Sequence, residues 1–184
     1  MAHATAHETS FADKIKHMSG GDAAKCYQCG KCTAGCPMAY FMDITPNQMM
    51  HLAHLGDPES VEKLLSSRGI WCCVSCETCS TRCPKDVYPS RVIDAVREIA
   101  RKEDKISPES KNVVRFHRAF LDSVWYAGRM KEVVLVADYK MRSMTLFKDV
   151  ILAPSMVFKG KLHFIPWRIK GAKEVRKIFD KCLK

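Results

Sequence analysis

No stretch of the 184-residue chain approaches the ~18 consecutive apolar residues that a membrane-spanning helix needs. The most apolar patches, Val133 to Ala137 and Val150 to Ala153, are short and bounded by charge. Low-complexity runs are absent, so the composition is that of a globular protein. There is no glycine-rich phosphate loop of the G-x-G-x-x-G or P-loop kind, and flavin, nicotinamide or nucleotide binding therefore has no motif behind it. The opening Met1-Ala2-His3-Ala4-Thr5 lacks a basic-plus-apolar signal pattern. These absences lead to the expectation of a soluble, cytoplasmic protein without a membrane span.

Cysteine is what the chain has in excess. Eight of the ten cysteines form two copies of C-x-x-C-x-x-C-x-x-x-C-P: Cys26, Cys29, Cys32, Cys36 with Pro37, and Cys73, Cys76, Cys79, Cys83 with Pro84. This spacing belongs to chains that hold two 4Fe–4S cubanes. Three cysteines at intervals of three let one short loop wrap three iron corners, and the fourth corner needs a thiolate from elsewhere. With the crossing usual for this spacing, one cluster takes Cys26, Cys29, Cys32 and Cys83, and the other takes Cys73, Cys76, Cys79 and Cys36. Gly30 and Gly35 suit a backbone that approaches sulfur closely, whereas the second loop contains no glycine. Its cluster is expected to have a different hydrogen-bonding shell. Zinc sites use paired C-x-x-C units or mix in histidine, which fits these triplets poorly. Disulfides are disfavoured in a reducing compartment. Cys72 breaks the register of the second motif and reads as a thiol outside the ligand set.

Charge is unevenly placed along a chain of net charge +10. Residues 1–104 carry 12 Lys/Arg against 13 Asp/Glu, and residues 105–184 carry 18 against 7. A basic half can meet nucleic acid, a membrane surface or an acidic protein. The positives are spread along helical segments instead of forming one block, so a solvated or protein-docking face is expected and nucleic-acid binding is not.

Punctuation along the chain is helical. Residues 1–20 read as a mobile N-terminal arm ending in Gly20-Gly21, with His3 and His7 in a tail. Residues 21–104 read as the cluster domain. Thr45-Pro46-Asn47-Gln48 supplies an N-cap, a proline at the first helical position and a capping-box glutamine, which predicts a helix over 46–55 stopped by Gly56. Asp57-Pro58 starts another, ending near Ser67, and Val92, Ile93, Val96, Ile99 and Ala100 predict a helix over 89–102. Proline-led helices around the motifs favour an α-helical ferredoxin domain over the short strands of the small bacterial type. His51 and His54 read as partly exposed structural histidines. Residues 105–184 read as a basic helical docking region. A helix opening at Ser107-Pro108-Glu109 and ending near Gly128 carries the stripe Val113, Phe116, His117, Phe120, Leu121 and Val124, with His117 on the apolar face. Helix is also expected over 130–152, loop around Pro154, Gly160 and Pro166, and a last helix over 172–183 that packs Cys182 on its apolar face. Trp125, Tyr126, Tyr139, Phe147, Phe158, Phe164 and Trp167 suit a core or a docking surface.

Together the two motifs, the helical insert, the Gly69-Ile70-Trp71-Cys72-Cys73 approach to the second motif and the appended helical half resemble the C-type subunit of heterodisulfide reductase, over roughly residues 20–184. The resemblance implies a mainly α, two-cluster electron-transfer subunit of an oxidoreductase complex. It implies relay from a flavin-containing A-type subunit to a catalytic B-type subunit bearing C-C-G motifs. Catalytic side chains are not expected in this chain, since Cys72-Cys73 is followed by Val74 and the C-C-G motif is missing. Another respiratory or dehydrogenase complex is the alternative home for such a subunit. A nucleic-acid-binding iron–sulfur protein rests only on the charge asymmetry.

Overall fold

Each long helix near the cysteines begins at a proline, in the first turn where a missing N–H costs nothing. In the computed structural model, which describes residues 10–145, 158–159 and 169–182, the helices are α1 Phe11–Ser19, α2 Lys31–Ala34, α3 Pro46–Leu55, α4 Pro58–Leu65, α5 Gly69–Cys72, α6 Thr78–Thr81, α7 Pro89–Lys102, α8 Lys111–Ala127, α9 Glu132–Ser143 and α10 Ala172–Cys182. No strand occurs among the described residues, so the fold is mainly α. The chain divides into two compact units, Met1–Ser110 and Lys111–Lys184.

In the first unit α7 is the central element. Val92, Ile93, Val96, Ile99 and Ala100 are all within 1% of full burial. Each large aliphatic side chain so buried contributes roughly 1.5–3 kcal/mol. Against this face pack Ile15 of α1, Met49, Met50 and Ala53 of α3, Leu64 and Leu65 of α4 and Ile70 of α5, all equally buried. The predicted bounds of α3 and α7 hold because their signals are local. Thr45 and Gln48 form the capping box, with the Thr45 N–H donating to Gln48 Oε1 at 2.9 Å, and Gly56 stops α3 at φ 65°. Asp57 caps α4 by accepting from the Ser60 N–H at 2.9 Å.

The arm expected over 1–20 is corrected from Ser10 onward. Residues 11–19 form α1, because Ile15 reaches the core at 1% exposure and Gly20, at φ 68°, terminates the helix. Lys16 Nζ pairs with Asp22 Oδ2 at 2.8 Å across the Gly-Gly turn. His3 and His7 lie outside the described residues.

The second unit departs further from expectation. The buried seam of α8 is Ala119, Ser123 and Ala127, a small-residue row at i, i+4, i+8. The larger stripe predicted for burial leaves Phe116, Phe120 and Leu121 exposed at 42%, 38% and 47%, and His117 is exposed beside Phe116. Small side chains let α9 and α10 approach α8 closely, and the Ser123 hydroxyl accepts from the Lys131 N–H at 2.9 Å. Helix over 130–152 is also corrected: α9 ends at Ser143, where Met144 turns left-handed at φ 56°. The continuation from 146, the loop prolines Pro154 and Pro166, and Phe147, Phe164 and Trp167 lie outside the described residues.

Cys182 is exposed, not packed. The reason is that α10 is anchored at its other end. Ala172 is its buried residue, and Arg176 stacks over the Trp125 ring at 4.6 Å while donating to the carbonyls of Trp125 and Tyr126.

Candidate metal centre

The two cysteine motifs fold alike. In each, the residue after the second cysteine takes left-handed backbone, Gly30 at φ 76° and Glu77 at φ 60°, and caps a four-residue helix, α2 or α6. Gln28 and Ser75, one residue before those second cysteines, are left-handed too, at φ 60° and 50°. Burial repeats as well. Cys29 and Cys76 are exposed, Cys32 and Cys79 are buried, and Cys26, Cys36, Cys73 and Cys83 lie between. Each short helix is then braced by the first turn of a proline-led helix: Thr33 by Asn47 of α3, and Ser80 by Ser90 of α7.

Two cavities result. Cys26, Cys29, Cys32 and Cys83 line the first, with about 320 Å³ of open space partly continuous with solvent, and Met50, Val87 and Pro89 close its apolar wall. Cys36, Cys73, Cys76 and Cys79 line the second, of about 350 Å³, with Met38, Met42 and Ile93. Among the described residues no group of three or more His, Cys, Asp and Glu is gathered tightly enough to hold a single metal ion. Eight sulfurs spread in fours around two such spaces suit a polymetallic thiolate-bound group, whose corners are separate, and so the donor set fits iron–sulfur cubanes.

Electrostatics differ from thiol to thiol. Burial pushes Cys79 up to about 11 and also raises Cys32 and Cys73. Cys76 goes the other way, lowered by the Thr78 hydroxyl 3.4 Å from its sulfur. Sulfur also receives hydrogen bonds from Gln28 Nε2 to Cys26 at 3.3 Å and from the Val87 N–H to Cys83 at 3.5 Å.

Several positioning residues carry no motif of their own. Asp43 accepts from the N–H groups of Arg68 and Gly69, at 2.9 and 2.6 Å, and so starts the short helix that delivers Cys73. Gly69 is obligatory there, since a Cβ would meet the Ile44 carbonyl oxygen at 2.5 Å. Arg97 of α7 donates to the Ile70 carbonyl at 2.5 Å and to the Cys73 carbonyl, and pairs with Asp94 at 3.0 Å. The two Thr/Tyr-Pro helix starts, 45–46 and 88–89, are the sequence signal that would have extended the repeat beyond the cysteines. Glu77 and Arg97 left none.

Other candidates stay apart from the cavities. Cys72 lines neither; its sulfur lies 3.8 Å from the Phe41 carbonyl, and burial raises its pKa. His51 and His54 are exposed on α3. No described helix is long and apolar enough to cross a membrane.

Comparison with known proteins points the same way. The 4Fe-4S dicluster domain family matches residues 22–87. The chain is similar to the C-type subunit of the H(2):CoB-CoM heterodisulfide,ferredoxin reductase of Methanothermobacter thermautotrophicus, 30% identical over 109 residues, covering 59% of this chain and 57% of that protein. It is 37% identical over 79 residues to the C-type subunit of the Ferredoxin:CoB-CoM heterodisulfide reductase of Methanosarcina acetivorans, covering 43% and 30%. It is 34% identical over 82 residues to a C-type iron-sulfur subunit of the CoB--CoM heterodisulfide reductase of Methanocaldococcus jannaschii, covering 45% and 42%. The chain thus spans little more than half the length of these curated relatives at most. Over that shared part it is similar to the C-type subunits of heterodisulfide reductases and carries a 4Fe-4S dicluster domain match.

Proposed function

We propose that this chain is the electron-transfer subunit of a heterodisulfide reductase-like complex, relaying electrons through two 4Fe–4S clusters. The observation that carries the reading is the sorting of sulfurs: each cavity is lined by three cysteines of one motif and the fourth cysteine of the other. Cys26, Cys29, Cys32 and Cys83 would hold one cluster, and Cys73, Cys76, Cys79 and Cys36 the other. When bound, such clusters supply reversible one-electron chemistry. The protein's own part is to supply thiolates, fix the loops and exclude water. Met50, Val87 and Pro89 on one side and Met38, Met42 and Ile93 on the other keep the inner walls apolar. Cys29 and Cys76 face outward, which gives each site an exposed edge for exchange with a partner.

Partners follow from the same reading. The relatives are subunits named for heterodisulfide reductases, so an A-type flavoprotein donor and a B-type C-C-G acceptor in the cytoplasm are the proposed neighbours. The basic second half, with exposed Phe116, Phe120, Leu121 and Trp125, is the proposed docking region. Protein purified anaerobically should contain about eight iron atoms per chain and show two interacting cubane signals by electron paramagnetic resonance. A flavoprotein and a C-C-G protein should copurify. Zinc in the cysteine sites, or a single cluster, would rule the proposal out.

A further inference from the structure

The two halves of the repeat end their hydrogen-bond strings on different atoms. In the first half the string starts at a donor whose identity is certain, the backbone N–H of Asn47, which bonds Thr33 Oγ1 at 3.0 Å. The same hydroxyl donates to Asn47 Oδ1 at 2.6 Å. The Thr45 hydroxyl lies 2.8 Å from the same oxygen. Asn47 is thereby oriented with Nδ2 toward Gln28 Oε1, at 3.4 Å. Gln28 in turn must present Nε2 to the Cys26 sulfur, at 3.3 Å.

The second half has the same framework and a different outcome. Ser75, the counterpart of Gln28, sits 3.3 Å from Asp94 Oδ1 and within 3.4 Å of Arg97, not against sulfur. Ser90, the counterpart of Asn47, bonds Ser80 and donates to the Glu77 carboxylate, both at 2.6 Å. This string ends on an anion. Two side-chain hydroxyls of this half lie near sulfur: Thr78, 3.4 Å from Cys76, and Ser80, which acts on Cys79 against the effect of burial.

We propose that Gln28 sets the reduction potential of the site lined by Cys26, Cys29, Cys32 and Cys83, with Asn47 and Thr33 as positioning residues, so that an internally repeated fold holds two electrochemically unequal sites. The inference rests on the two-cluster reading above. An N–H aimed at a ligand sulfur offsets negative charge, which is greater after reduction, and so raises the potential. In the other site, once Cys76 is a thiolate ligand, the Thr78 hydroxyl 3.4 Å away is the corresponding donor.

Full-length protein, purified anaerobically and titrated potentiometrically with paramagnetic resonance detection, tests this. Gln28→Met keeps length and removes the donor. It should lower the midpoint potential of one cluster, the one perturbed in Cys83→Ser, and leave the other in place. Asn47→Leu, which removes the anchor of Gln28 and no hydrogen bond to sulfur, should lower the same potential by less. Thr78→Val should lower the other potential, and Ser75→Ala neither. Should Gln28→Met fail to load, Asn47→Leu carries the test alone. A rise, no shift, or an equal shift of both clusters in Gln28→Met or Asn47→Leu overturns the assignment to Gln28. Unsubstituted protein without two cubanes overturns the proposed function instead.

Discussion

Gly30 and Glu77 stand at the same position in the two copies of the cysteine motif, and both are left-handed, at φ 76° and 60°. Glycine adopts this backbone freely, while an L side chain does so at a cost of about 1–2 kcal/mol. Glu77 is held there by its carboxylate, which accepts from buried Ser90. Nothing lies within 4 Å of a Cβ built on Gly30. Gly30→Ala should therefore destabilise the loaded protein by about 1–2 kcal/mol through backbone strain alone, read as a lower denaturation midpoint. Glu77→Gly should be more stable than Glu77→Ala by a similar margin, since both lose the carboxylate and only one keeps the strain.

Arg97 ties α7 to the loop that carries Cys73, and its side chain is 16% exposed. Replacing it by Met strands the Ile70 and Cys73 carbonyls and leaves Asp94 without its charged partner. Loss on the order of 3 kcal/mol is expected for charged hydrogen bonds of this kind. On the proposed assignment, the cluster at Cys36, Cys73, Cys76 and Cys79 should be lost first on warming, seen as one of two resonance signals fading early. Arg97→Lys should rescue poorly, because an ammonium cannot span both carbonyls in one plane.

The proposed crossed ligation makes a specific demand on the fourth cysteines. Cys83→Ser should perturb the cluster held by the first motif's triplet, and Cys36→Ser the cluster of the second. Paired with Cys29→Ser and Cys76→Ser as references, resonance spectra should group Cys83 with Cys29 and Cys36 with Cys76. Grouping by sequence proximity instead would mean uncrossed ligation.

Iron loading should depend on pH with a definite sign. Burial raises Cys79 to about 11 and lifts Cys32 and Cys73. These groups are thiols at neutral pH, and ligation needs thiolates, so assembly releases protons. Below their raised pKa values, binding is favoured as pH rises. Anaerobic reconstitution at pH 9 should reach a given iron content at lower free iron than at pH 7. A pH-independent uptake curve would contradict the burial of these thiols.

Much of the first unit was legible without coordinates. Pro46, Pro89, Gln48 and Gly56 act within a turn of their own positions, so α3 and α7 could be bounded from local chemistry. Helix α1 did leave a trace, Phe11, Ile15 and Met18 at i, i+4 and i+7 with Gly20 after the last turn, but only Ile15 is fully buried, and that burial depends on α7 and α3 arriving beside it. In α8, hydrophobicity pointed to Phe116, Phe120 and Leu121, while close helix packing selected Ala119, Ser123 and Ala127. Cys182 misled in the same way: its spacing on α10 is apolar, but the helix is anchored at Ala172 and Arg176.

By itself the sequence determined the donor chemistry, eight thiols in two wrapped triplets with two delayed partners, and the helices that proline and capping residues start. Spacing carries that information because a short loop can only reach so far. The tertiary structure decided which delayed cysteine lines which cavity, that Glu77 is forced into glycine's conformation, and that Gln28 faces sulfur while Ser75 does not. Those outcomes depend on side chains from distant segments meeting, Thr33 with Asn47 and Glu77 with Ser90, and no periodicity along the chain encodes such a meeting.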